Sequence, residues 1–207
     1  MCVGPVRLTV VFVVALCVVG HEARGQAISA GPGIVVYLED YANVPPYVLQ
    51  PALRQATRAF LRVGIPIVWE TSPARLTMPM RRSWQYTLLM LSPAMVIRKC
   101  AAEGIGTDVA AKAAPTVGRA WIFAGRIVSA AEKRAMPAAD TLGKVLTHEI
   151  GHLLLGRSPF EPLLVMQERL SFTVGEYGFT REQGEQMRRA LRPPGAPLLA
   201  AATLPPD

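Results

Sequence analysis

The stretch Thr147-His148-Glu149-Ile150-Gly151-His152, followed by Leu153-Leu154-Leu155-Gly156, sets the tightest limit on what this chain can fold into. Val145, Leu146, Ile150, Leu153 and Leu154 recur at helical spacing, and Gly156 is a natural stop. Asp140 or Thr141 offers a side-chain cap, so the pattern predicts a helix over about 141–155. On that helix His148 and His152 project from one face a turn apart, with Glu149 displaced beside them. The fold must therefore bury an apolar helix while two imidazoles and a carboxylate share one space.

That constellation has a specific chemistry. Imidazoles four residues apart on a helix suit one tetrahedral Zn2+ ion. Zinc acidifies a water, and Glu149 is placed to take its proton as the water attacks a carbonyl. The same carboxyl can then return a proton to a leaving amine. Chance also produces such spacings on amphipathic helices, where histidines are packed or surface groups. The distribution of histidine favours the metal: of three in the chain, two stand in this motif and His21 lies near the N-terminus.

The N-terminus reads as a leader. Met1–Arg7 carries one positive charge, Leu8–Gly20 is continuously apolar, and HEARGQA follows with small residues suited to cleavage. The apolar run is short for a permanent span, so residues 1–25 are expected to be a signal peptide and the mature protein secreted or periplasmic, without stable membrane insertion. An uncleaved anchor is the alternative. Cleavage removes Cys2, Cys17 and His21, leaving Cys100 with no disulfide partner and no cysteine cluster for a metal. Losing two arginines and one glutamate takes the net charge from +7 to about +6. The positive residues are scattered, without an aromatic-interleaved stripe, so no nucleic-acid partner is expected.

Helix and strand signals alternate along the rest. Ile34–Leu38 reads as a strand, Val48–Val63 as a helix stopped by Gly64, and Ile65–Trp69 as a second strand with Pro66 near its start. Gln85–Leu91 is a third strand, and Ala94–Cys100 is a short strand or helix. Ala101–Val117 reads as a loop, Arg119–Phe123 as a strand, and Ala130–Arg134 as a turn or short helix. Thr180 and Gln183 form a capping box for a last helix through Leu191, and the Pro/Ala-rich residues 193–207 read as a flexible tail. The expected fold is one α+β domain over residues 26–192, a mixed sheet packed with helices.

THEIGHLLLG, with Met166 ten residues after Gly156, resembles HExxH zinc metallopeptidases, and in particular a group of exported bacterial proteins distantly akin to metzincins. The likeness extends more weakly to Tyr41–Pro45, Gly64–Trp69, Arg119–Ile127 and Phe179-Thr180. It implies a zincin fold, α/β-like, with zinc as cofactor, a protein or peptide as substrate, and Met166 in a turn beneath the metal. The pattern breaks at the third ligand. Ser158 stands where metzincins place histidine, and Phe160 where the exported group does. Glu161, adjacent and in the same loop, is the first substitute; Glu168, Glu182 and Glu185 are weaker ones. Two functions follow. One is an exported zinc endopeptidase with Glu149 as general base, His148, His152 and Glu161 as ligands, and Arg119–Phe123 as the edge that pairs with extended substrate. The other is an inactive zincin-shaped binding protein that lacks a complete zinc site.

Overall fold

The computed structural model describes residues 33–71, 84–156, 166 and 177–192. The expected leader (1–25) and tail (193–207) lie outside them. β1 (Ile34–Asp40) alternates buried Ile34, Val36 and Leu38 with half-buried neighbours. At its end the Asp40 carboxylate accepts the backbone N–H groups of Ala42 and Val44 at 3.0 and 2.8 Å, turning the chain toward the first helix. α1 (Pro46–Arg62) starts with proline, which has no N–H to leave unpaired in a first turn. Gly64, at φ +74°, ends it in the left-handed conformation that glycine adopts without strain.

Four further strands complete one sheet: β2 (Ile67–Glu70), β3 (Gln85–Met90), β4 (Ala111–Ala114) and β5 (Arg119–Ile122). Their order is β2-β1-β3-β5-β4. The first four run parallel and β4 alone runs antiparallel to β5. The sheet is mixed and packed with helices, the α+β class expected.

Four more helices follow the same chain: α2 (Pro93–Glu103), α3 (Ala124–Lys133), α4 (Ala138–Leu155) and α5 (Arg181–Ala190). The inward residues of β1, β3 and β5 share one core with α1 and α4. α1 lies close along α4, because Gly143 has no side chain: a Cβ there would meet the Gln55 side chain and the Ala52 carbonyl oxygen, the latter at 3.2 Å. Phe60 joins this layer to the segment before α5, its ring 4.6 Å from Phe179. Thr180 and Gln183 make the expected capping box, at 3.1 and 2.9 Å. Among the described residues, no helix is long and apolar enough to cross a membrane.

Several sequence expectations need correction. α4 begins at Ala138 with Pro137 before it and no side-chain cap; Asp140 falls inside the first turn, where its charge complements the helix dipole. Ala94–Cys100, expected as a short strand or helix, lies in helix α2. The stretch read as a loop contains β4, whose alanines have little intrinsic β preference and are held by pairing with β5. Ala130–Arg134 covers only the end of α3, a helix that follows β5 without a capping residue. The strand expected at the edge, Arg119–Phe123, is instead interior, paired with β3 and β4.

Phe60 is fully buried at the junction of α1, the sheet core and Phe179. Phe60→Ala is expected to lower the unfolding free energy in urea by about 3–5 kcal/mol. A loss under about 1 kcal/mol, the range of ordinary surface changes, would contradict this anchoring role.

Candidate active site

α4 carries the motif through the middle of the molecule, touching α1, α3, α5, β4 and β5. His148 is buried and His152 half-buried, and their Nε2 atoms converge to 3.0 Å. The rings stand perpendicular with centroids 4.4 Å apart. Burial, together with the neighbouring His148, pushes His152 down to about 4, while a hydrogen bond with the Gly156 backbone opposes the shift. His152 is therefore neutral at pH 7, with its nitrogen lone pair available.

Glu149 is buried next to the pair, and its Oε2 has no hydrogen-bond partner among the described residues. Burial alone pushes its carboxyl up to about 8. A carboxyl in that state carries a proton near neutrality, and an orphaned oxygen in a dry setting is costly unless something polar occupies the space beside it.

The donors suit zinc in part. Nitrogen donors about 2.0–2.1 Å from a tetrahedral zinc lie roughly 3.3–3.4 Å from each other, so the 3.0 Å separation requires only a slight opening. The pair alone is insufficient, since a working site has three protein ligands. Among the described residues, no group of three or more histidine, cysteine, aspartate or glutamate side chains is disposed to hold a metal. Glu161 and Glu168 lie outside the described residues. Glu182 is exposed in the first turn of α5, and Glu185 is paired with Arg181 and Arg189; neither is brought to the histidines. Cys100 is on α2, where Arg126 Nη2 donates to its sulfur at 3.2 Å, and it is not part of the site.

Met166 is buried against α4. A Cβ on Gly151 would lie 2.5 Å from its sulfur and 3.1 Å from the Phe179 ring. The methionine therefore supports the helix between the two histidines, a position that serves a core residue and a turn beneath a metal equally. Sequence reasoning did not assign Gly151 or Phe179 to this support; a glycine between two histidines on an apolar helix was the available signal. β4, the true edge strand on this side of the sheet, packs beside α4.

No protein-family model matches the sequence, and no curated protein sequence does so. Among solved structures, the chain is similar to a zinc-dependent peptidase from Methanocorpusculum labreanum, at 14% identity and TM-score 0.42 over 76% of this chain and 100% of the other. It is also similar to archaemetzincin from Methanopyrus kandleri, at 16% identity and TM-score 0.48 over 78% and 97%. At such identities neither likeness reaches the side chains of the site.

The raised Glu149 carboxyl has a stability consequence in metal-free protein. A group whose folded value exceeds its unfolded one favours the fold at low pH and loses that contribution as pH rises through the folded value. Between 4.5 and about 8 the unfolded chain releases a proton that the native state retains. From about pH 4 to about pH 9, unfolding free energies should therefore shift in favour of Glu149→Gln over the parent by on the order of 3–5 kcal/mol. A pH-independent difference between the two proteins would remove the buried, protonated carboxyl from this account.

Proposed function

We propose that this chain is an exported zinc-dependent endopeptidase, and that the observation carrying the reading is the convergence of the two imidazole nitrogens beside a buried, unpartnered carboxyl. His148 and His152 hold the metal, and Glu161 is the first choice for the third ligand. Zinc in such a site supplies a Lewis acid and an acidified water. Glu149 takes and passes the proton at Oε2, the oxygen that no described residue engages. The enclosure of α4 excludes bulk water from the carboxyl, and Met166 with Phe179 fixes the helix at Gly151. As an edge strand next to α4, β4 has backbone groups on one side that no described strand pairs, where an extended peptide can add. It takes the substrate-pairing role that the sequence assigned to β5.

A second reading is favoured by one observation: no third ligand joins the pair among the described residues, and Ser158 and Phe160 stand at the positions expected for histidine. In that reading the surface beside α4 and β4 binds a polypeptide without cutting it. Zinc content separates the two. Purified protein should hold near-stoichiometric zinc, His148→Ala and Glu161→Ala should lose it, and Glu149→Gln should retain it while peptide hydrolysis falls by about 10²–10⁴. Folded protein that takes up no added zinc would establish the binding reading. Hydrolysis surviving Glu149→Gln would remove the proton role from that residue. The leader reading is tested by N-terminal sequencing of exported protein: a terminus between Gly20 and Ala27 supports cleavage, and an intact Met1 supports the anchor.

A further inference from the structure

A cleft of about 480 Å³ lies between α1 and β2, a size typical of ligand sites. Leu53 and Trp69 supply its apolar surface and Arg54 and Arg58 its charge. The apolar part is held in place: Trp69 Nε1 donates to Thr57 Oγ1 at 2.9 Å, and that hydroxyl donates to the Leu53 carbonyl at 2.9 Å. Both arginines are exposed, and among the described residues no salt bridge takes either of them. α1 contains no carboxylate at all. Glu70, the nearest acid along β2, alternates to the opposite side of the strand from Trp69. The cleft thus combines fixed apolar surface with two cations that no salt bridge among the described residues takes.

Two further features select the shape of the ligand. Among the described residues β2 is an edge strand, so half of its backbone donors and acceptors face away from β1. Arg54 and Arg58 are one helical turn apart, about 6.0 Å along the axis, close to the roughly 6.6 Å between alternate residues of an extended chain. A strand laid beside β2 would turn every second side chain toward α1 and the others toward the side of Val68, itself exposed and apolar.

We propose that the α1–β2 cleft is a docking site for an extended acidic peptide segment, with carboxylates at alternate positions on Arg54 and Arg58. Glutamate suits those positions, because its methylenes lie on Leu53 and Trp69 while its carboxylate reaches the guanidinium groups. The residue between two glutamates is apolar and meets Val68. The site is at the edge opposite β4, four strand spacings or about 19 Å across the sheet. It is independent of the metal reading.

The test is fluorescence anisotropy of a labelled Glu-Val-Glu-Val-Glu peptide with the full chain, at two salt concentrations. Binding should weaken as salt rises, fall about tenfold in the doubly substituted Arg54→Ala, Arg58→Ala protein, and stay unchanged in His148→Ala. A peptide of identical composition ordered Glu-Glu-Val-Val-Glu should bind more weakly, since no two of its carboxylates stand at alternate positions. Thermal melts of the double variant establish that it is folded. Equal binding of the two peptides, undiminished binding by the folded double variant, or capture of phosphatidylglycerol vesicles without the alternating peptide would each overturn the proposal.

Discussion

Enclosure of α4 is the constraint on which the rest of the structure depends. Thirteen of its eighteen residues are buried, among them His148, Glu149, Thr147 and Lys144. A helix in that position exchanges hydration for contact on nearly every side, and each polar group it carries has to be accommodated individually. Thr147 returns its hydroxyl to the Gly143 carbonyl at 2.8 Å. The two imidazoles turn their nitrogens toward each other. Glu149 is the group for which the described residues provide no such arrangement at Oε2, and its shift toward the protonated form is the physical response to that isolation. The same burial that stabilises the domain creates the chemical tension at the site.

Much of this was legible in the sequence, for reasons that differ by element. α1 and α5 were readable because their apolar period, Gly64 stop and Thr180/Gln183 box are local signals, sufficient without tertiary context. β1 and β3 show plain β-branched or alternating apolar runs. β4 was not readable, since Ala111–Ala114 gains its strand conformation from β5 and not from its own side chains. α3 was shortened because β5 runs into it through Phe123 with no punctuation. At the site, the positions of His148, Glu149 and His152 follow from a one-turn spacing that any helix must obey. The third ligand has no such rule. It would come from a segment whose approach to the histidines depends on the chain's path, so spacing alone does not choose among glutamates; among the described residues Glu182 is exposed, Glu185 is paired with arginines, and no third side chain joins the histidines.

The sheet has two unlike edges. β4 is antiparallel, small-sided and next to α4, while β2 is parallel, at the opposite end of the sheet and flanked by arginines from α1. Natural sheets protect open edges with charge or irregularity against unwanted pairing. Lys112 places a charge on β4, where Glu103 pairs with it at 2.9 Å, and the α1 arginines place theirs at β2. The difference is that at β2 the charges sit over a cleft with an aromatic wall, so they discriminate among extended chains by sign instead of excluding them all.

The two glycines of α4 bear on when the site comes into being during folding. Gly143 admits α1 and Gly151 admits Met166 and Phe179, yet each costs a helix about 1 kcal/mol relative to alanine. The intervening Val145, Thr147 and Ile150 are β-branched and add little helical preference. Taken out of the domain, this segment would be a poor helix, because most helical stability in proteins is tertiary. The one-turn spacing of the histidines is thus realised only after α1 and the sheet have closed around them. The convergence of the two imidazoles is a property of the finished domain, and a nascent or partly unfolded chain presents two unconnected histidines.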